Sequence, residues 1–232
     1  RDGLFVPFCA TIFIFSDYLK TGARLSALMG LKNYFVFTHD SIGVGEDGPT
    51  HEPIEQLSQF RAMPNFYVFR PADGNENVAC WRVGLNLNAP CAFVCSRQGL
   101  EALPKAILGG VERGAYLIKR SVNPRITLIA SGSEVSLCLK AASSLDEQGV
   151  GANVVSAPCY DLLCKQDDAY IKELFGDTKV LAVEAASALE WYKFADEIYG
   201  MNSFGESAKA EELFKHFGFT DVNIAAVAKK LL

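Results

Sequence analysis

The residues of this chain best suited to acid–base chemistry fall in one short stretch, residues 38–53. It holds two of the three histidines, with three carboxylates between them: His39, His51, Asp40, Glu46 and Asp47. Histidine titrates near neutral pH, so such a loop can move protons, bind hydroxyl groups or hold an anion. A metal site made of His39, Asp47 and His51 is a weaker alternative, because their spacing matches no standard ligand pattern. The stretch contains no Gly-Lys-Ser/Thr sequence, so it is not a nucleotide-binding P-loop.

Glycines and prolines indicate that this stretch is a loop between a strand and a helix. The apolar run Tyr34–Phe37 before it predicts a buried strand, and Pro53 can open a helix at its first turn. Three glycines give the loop unusual backbone freedom: Gly43, Gly45 and Gly48. Ligands of an open α/β sheet bind outside the carboxyl ends of the strands, so we expect the loop to border a site. The alternative is a solvated turn whose polar groups satisfy only their own backbone.

Two further sets of residues are candidates for binding. Ile12, Phe15 and Tyr18 are three residues apart in a segment with a helical pattern from Thr11 to Met29, so we expect them to share one helix face. Ordinary core packing is the simpler explanation of such a stripe. Arg97 follows the apolar run 91–95, where a guanidinium could bind a phosphate in a bidentate manner or form a structural ion pair.

Strands alternate with helical patterns along the whole chain, which predicts an α/β fold. Half of the 232 residues are apolar, enough to bury a large core. The strands expected are 4–8, 34–37, 66–69, 91–95, 116–118, 126–130, 152–157 and 180–184. The helices expected are 11–29, 53–63, 73–88, 133–148, 190–198, 206–216 and 221–232, the third with a capping box at Asp73–Glu76.

The region 99–125, which contains Pro104, lacks sustained periodicity and indicates a linker. We therefore expect two three-layer α/β domains, residues 1–120 and 121–232, each with a mostly parallel sheet flanked by helices.

Composition excludes several classes of protein. The seven cysteines are scattered and form no Cys-x-x-Cys pair, which favours a reducing compartment and a cytoplasmic location. Residues 121–232 carry 10 basic and 16 acidic side chains, and this excess of negative charge argues against nucleic-acid binding. The apolar runs are short and interrupted, so we expect no membrane span.

The loop sequence THDSIGVGEDGPTHEP resembles the signature loop in the pyrimidine-binding domain of transketolases. These thiamine-diphosphate enzymes move two-carbon ketol units between sugar phosphates. Deoxyxylulose-phosphate synthases share only the second half of the loop, so the resemblance favours transketolases. The later part of the chain, including Ser203-Phe-Gly-Glu-Ser, is similar to their C-terminal domain.

The resemblance implies roles for individual residues. Phe15 and Tyr18 match the aromatic pocket for the aminopyrimidine ring of the cofactor, while Ile12 stands where many relatives carry Phe. His51 would lie beside the reacting carbon, as a cofactor-binding residue and as the catalytic group that moves protons.

On the substrate side, the resemblance implies that Asp47 accepts a hydrogen bond from a sugar hydroxyl. His39 and Arg97 would bind the sugar phosphate.

The resemblance also implies that this chain is one portion of a larger enzyme. In the family, the catalytic glutamate and the domain that binds the diphosphate and a Mg or Ca ion precede the segment found here. The chain thus resembles a truncated pyrimidine domain followed by a C-terminal domain, and alone we expect it to be inactive. It would supply the pyrimidine side of a site shared within a homodimer, or with a complementary N-terminal portion, in an enzyme of the pentose phosphate pathway. The alternatives are a non-catalytic fragment that provides only dimer surface, and an enzyme like deoxyxylulose-phosphate synthase.

Overall fold

The computed structural model describes residues 5–103 and 108–232, with the side chain of Leu108 excepted. Two sheets flanked by helices make up the molecule, which confirms the predicted α/β class with two mostly parallel sheets. Leu4, in the first predicted strand, and Pro104, in the predicted linker, lie outside the described residues.

The first sheet has four parallel strands in the order β1-β2-β4-β3. They are β1 (Phe8–Ile12), β2 (Tyr34–Thr38), β3 (Tyr67–Phe69) and β4 (Cys91–Cys95). The helices are α1 (Ser16–Leu28), α2 (Gln56–Arg61), α3 (Gly74–Asn86) and α4 (Leu108–Glu112), and short 3-10 helices span Phe13–Phe15 and Ile42–Val44.

Both faces of this sheet are covered, which explains why its strands are apolar almost throughout. Alternate residues Phe35 and Phe37 of β2 pack with Phe60 of α2 on one face. Tyr34 of β2 and Phe93 of β4 pack with α3 on the other face. Because the strands are parallel, the carboxyl ends of β1, β2 and β4 lie at the same end of the sheet.

The second sheet has five strands in the order β5-β7-β6-β8-β9, of which only β5 is antiparallel to its neighbour. The strands are β5 (Tyr116–Lys119), β6 (Pro124–Ala130), β7 (Gly151–Ser156), β8 (Lys179–Val183) and β9 (Glu197–Tyr199). The helices are α5 (Glu134–Glu147), α6 (Tyr160–Leu163), α7 (Asp168–Phe175), α8 (Ala210–His216) and α9 (Asp221–Lys230), with a 3-10 helix at Leu189–Lys193. β5 precedes the expected division after residue 120 but belongs to this second sheet.

The prediction of one helix from Thr11 to Met29 was wrong at its start. Thr11 and Ile12 pair with Phe37 and Thr38 as the end of β1, and α1 begins only at Ser16. The hydrogen bonds of the parallel ladder decide this, because the β-branched Thr11 and Ile12 fit a strand better than a helix. Ile12, Phe15 and Tyr18 therefore do not share one helix.

Two other predicted helices need correction, and one predicted helix cap is confirmed. Pro53 does not open α2, which starts at Gln56. The helix expected at 190–198 is a 3-10 helix followed by β9, whose pairing with β8 overrides the local pattern. The N-cap of α3 is confirmed, since the Asp73 carboxylate accepts a hydrogen bond from the Glu76 N–H at 2.7 Å.

Candidate functional site

The loop between β2 and α2, residues 38–53, is largely buried, with exposed side chains only at positions 46, 47, 49 and 50. Ile42 and Val44 are fully buried, and Ile42 belongs to the same core as Leu128 of β6 and Val183 of β8. At Gly43, an added Cβ would lie 2.4 Å from the Gln98 side-chain oxygen, so a larger residue there would require the Gln98 side chain to move. The loop is thus a fixed part of the structure and not a solvated turn.

His39 and Asp40, at the exit of β2, have different environments. His39 is half-buried, has a left-handed backbone with φ of 64°, and its Nδ1 lies 2.9 Å from Thr38 Oγ1. Asp40 is buried and forms an ion pair with Arg70 at 2.8 Å. Asp40 is therefore committed to a structural contact, while His39 remains partly accessible.

Phe15, Tyr18 and His51 form an accessible cluster of rings. Phe15 is 36% exposed and Tyr18 86% exposed, and their ring centroids are 6.2 Å apart. The imidazole of His51 meets Phe15 edge-on at 5.6 Å, and its Nδ1 lies 2.9 Å from Thr50 Oγ1. Ile12 is half-buried at the end of β1, just before these rings. An exposed phenyl face beside an imidazole is a surface on which a flat heteroaromatic ring can stack, so these residues fit a pyrimidine.

Arg97 and Asp47 line one cavity of about 180 Å³. Arg97 follows β4, and both side chains are exposed to solvent. The remaining lining residues come from the loop and from the start of α8 with its preceding residue: Val44, Gly45, Glu46, Lys209 and Ala210. Sequence analysis missed Lys209, because nothing in its own segment indicates that it folds back onto the loop.

Glu52 was also missed, and it is the most unusual titratable group of the loop. It is 1% exposed, and neither carboxylate oxygen has a hydrogen-bond partner of normal geometry among the described residues. Burial raises the pKa of Glu52 to about 7, and the nearby Glu206 carboxylate raises it further. The backbone N–H groups of Gly45 and Glu206 act in the opposite direction and lower the pKa. The burial comes from the 203–206 segment, since a Cβ on Gly205 would overlap the Glu52 carboxylate.

A buried network of charges joins the loop to the second sheet. Arg70 binds Asp40 and also Glu134 of α5, at 2.5 Å. Arg61 of α2 binds Glu184 at 2.6 Å and Glu190 at 2.5 Å. Although burial alone would raise the pKa of Glu184, the charge and hydrogen bonds of Arg61 lower it to about 2.

The third histidine, His216, ends α8 and is exposed. No helix among residues 5–103 and 108–232 is long and apolar enough to cross a bilayer.

Comparison with known proteins gives matches over nearly the whole chain. Residues 1–102 match the family described as transketolase, pyrimidine binding domain, and residues 114–220 match the transketolase-like C-terminal domain. The chain is 44% identical to a transketolase of Staphylococcus epidermidis, over 97% of this chain and 36% of that relative. It is 46% identical to a transketolase of Halalkalibacterium halodurans, over 97% of this chain and 35% of that relative. The chain therefore spans about a third of the length of the curated relatives it matches.

Solved structures give the same result. The structure of transketolase from Campylobacter jejuni superimposes with a TM-score of 0.94 at 56% identity, covering 97% of this chain and 35% of that one. Transketolase from Leishmania mexicana superimposes with a TM-score of 0.95 at 38% identity, covering 98% of this chain and 34% of that one. A split-gene transketolase, described as an inactive beta4 tetramer, shares the fold with a TM-score of 0.76 at 22% identity. The match covers 97% of this chain and 76% of that one.

Proposed function

Because the chain belongs to the transketolase family, of which it carries the pyrimidine-binding and C-terminal domains, we propose that it forms part of an enzyme that transfers a two-carbon ketol unit from a ketose phosphate to an aldose phosphate. The cofactor would be thiamine diphosphate, and this chain would supply the pyrimidine side of the site. The enzyme would serve the pentose phosphate pathway in the cytoplasm.

The observation that carries this proposal is the cluster of accessible rings beside the signature loop. The edge contact between His51 and Phe15 places an imidazole next to an exposed phenyl face. When bound, thiamine diphosphate supplies the carbon nucleophile for ketol transfer. Phe15 stacks on its pyrimidine, Tyr18 borders the ring, and Ile12 provides an aliphatic wall.

The polar residues of the loop serve the substrate in this proposal. His51 accepts or donates a proton at the hydroxyl oxygens of the sugar, because an imidazole titrates near neutral pH. Asp47 accepts a hydrogen bond from a sugar hydroxyl. Arg97 binds the phosphate by its guanidinium fork and His39 donates to the same phosphate.

The partner in the proposed assembly contributes the other half of the site. A domain that binds the diphosphate and its Mg or Ca ion would come from a second copy of the enzyme or from a complementary N-terminal portion. Apolar side chains on α1 support such an assembly: Tyr18, Leu25, Leu28 and Met29 are all exposed. Residues 18, 25 and 29 share a stripe of the helix, and β1 beside it is the outermost strand described in its sheet.

We expect that the chain alone binds thiamine diphosphate too weakly for activity. Stacking of one ring contributes about 1 kcal/mol, whereas a micromolar complex requires about 8 kcal/mol. Calorimetric titration with Mg and thiamine diphosphate, on the chain alone and on a mixture with the diphosphate-binding portion, tests this. Binding and ketol transfer should appear only in the mixture, and micromolar binding by the chain alone would contradict the expectation.

A non-catalytic role is the second candidate, and the similarity in fold to a split-gene transketolase described as an inactive beta4 tetramer favours it. The chain would then provide association surface only, and mixing would restore no activity. An enzyme like deoxyxylulose-phosphate synthase is not supported, since both matching families are those of transketolase.

A further inference from the structure

We infer that the C-terminal domain supplies a second cation, Lys209, to the binding of the substrate phosphate, an inference that rests on the proposed function. Lys209 lines the same cavity of about 180 Å³ as Arg97 and Asp47. It comes from the segment just before α8, more than a hundred residues after Arg97 along the chain. Contacts between that segment and the signature loop bring the two cations to one cleft.

The segment that carries Lys209 is held against the loop by close contacts on both sides of the lysine. Before it, the Ser207 hydroxyl donates a hydrogen bond to the backbone carbonyl of Glu46 at 2.6 Å. After it, the backbone nitrogen of Ala210 lies 3.3 Å from the position of a Cβ on Gly45. Gly45 has φ of 85°, so glycine provides both this backbone conformation and the room for the approach. The position of Lys209 is therefore set by fixed backbone contacts.

The charges that line the cavity suit a sugar phosphate. Arg97 and Lys209 are both exposed, and in residues 5–103 and 108–232 neither one forms a salt bridge. This holds although the carboxylates Glu46 and Asp47 line the same cavity. Two cations without protein partners favour a phosphate dianion, while the carboxylates can accept hydrogen bonds from sugar hydroxyls. A ligand with both groups matches this lining better than a simple anion does.

The two cations should contribute unequally. Arginine presents a planar fork that binds two phosphate oxygens, whereas lysine is a compact charge on a flexible stem. A charge-assisted contact of this kind is worth about 1.5–3 kcal/mol when it is well formed. This energy converts to a change of about 10–150-fold, so we expect Arg97→Ala to raise KM for phosphorylated sugars by about that factor and Lys209→Met by about 3–30-fold.

The test compares variants of the assembled enzyme with a five-carbon aldose phosphate and with the same sugar lacking its phosphate. Lys209→Met should raise KM for the phosphorylated sugar only, and Lys209→Arg should restore most of the affinity. Lys215→Met is the matched control, because Lys215 is exposed on α8, carries the same charge and does not line the cavity. Equal KM values for Lys209→Met and Lys215→Met would overturn the inference.

Arg97→Ala distinguishes failure of this inference from failure of the proposed function. If Arg97→Ala weakens the binding of the phosphorylated and the unphosphorylated sugar equally, the cavity does not bind the phosphate and the proposed role of the site fails. If Arg97→Ala is selective while Lys209→Met has no effect, only the role of Lys209 is overturned. The dissociation constant of the aldose phosphate, measured by ligand-observed NMR without a ketol donor, gives the same comparison independently of turnover. An unchanged dissociation constant in Lys209→Met would likewise overturn the inference.

Discussion

At the scale of single residues, the position of His51 decides what chemistry the loop can perform. Its imidazole is half-buried against Phe15, four residues along the chain from Asp47, which lines the cavity. This combination of partial exposure and aromatic contact suits a group that must reach a substrate without losing its orientation. In the proposed enzyme it is the proton-transfer group, which leads to a specific expectation for its removal.

We predict that His51→Ala lowers kcat of the assembled enzyme by about 10²–10⁴-fold, the usual contribution of one acid–base group. Folding should be intact, because the imidazole makes no buried ion pair. Steady-state kinetics beside a thermal unfolding curve measure both effects. His216→Ala is the matched control, since this histidine is exposed at the end of α8 and its imidazole faces the exposed Glu206 rather than Phe15. Full turnover of His51→Ala would remove the residue from its proposed role.

Glu52 gives a prediction about pH. Its pKa is raised to about 7 in the folded protein, chiefly by burial. The unfolded chain therefore releases this proton first as the pH rises, and the stability that the protonated form provides is lost between about pH 4.5 and pH 7. Glu52→Gln mimics the protonated form, so we expect it to match the wild type at pH 4.5 and to exceed it by about 1–3 kcal/mol at pH 8.

Urea unfolding at both pH values measures this difference. Glu55→Gln is the control, because Glu55 is an exposed carboxylate close by in the chain and is not among the groups that shift the pKa of Glu52. The assignment would be wrong if Glu52→Gln and the wild type lost stability in parallel between the two pH values.

At the scale of elements, buried ion pairs connect the helix and strand ends of the two sheets. Arg61 at the end of α2 and Arg70 after β3 bind carboxylates from α5 and from the residue after β8. The side chains of both arginines have no exposed area. Such pairs add little net stability compared with apolar packing, but breaking one of them leaves a buried charge without its partner.

We predict that Arg70→Met lowers the free energy of unfolding by about 3–5 kcal/mol, since Asp40 and Glu134 would be left in a buried site without their cationic partner. Lys140→Met provides the comparison, because the pair of Lys140 with Glu101 is exposed and should contribute less than about 1 kcal/mol. Denaturant unfolding of both variants gives the two values. A cost for Arg70→Met no larger than that for Lys140→Met would show that the network is not important for stability.

At the scale of the whole molecule, the C-terminal domain packs against the loop and lines its cavity. Its segment 205–210 buries Glu52, packs against Gly45 and places Lys209 in the cavity. The exposed apolar stripe on α1 lies next to the accessible rings, so a partner that covers the stripe would also approach Phe15. The proposed dependence of cofactor binding on a second portion of the enzyme follows from this arrangement.

Features that are encoded within one continuous stretch could be predicted from the sequence alone. The strand Tyr34–Thr38, the loop after it, the N-cap at Asp73 and the two mostly parallel sheets follow from apolar runs, glycines and capping residues near one another in the chain. The proposed site residues of the loop, His39, Asp47 and His51, could be selected in the same way.

Features that join distant segments could not be predicted, because they depend on how the chain folds. The end of β1 at Ile12 depends on pairing with β2, and β9 forms because β8 lies beside it. The burial of Glu52 depends on Gly205, and the presence of Lys209 in the cavity depends on contacts with Gly45. None of these contacts leaves a periodic signal in the sequence, because each residue involved is compatible with an exposed position until the second segment packs against it.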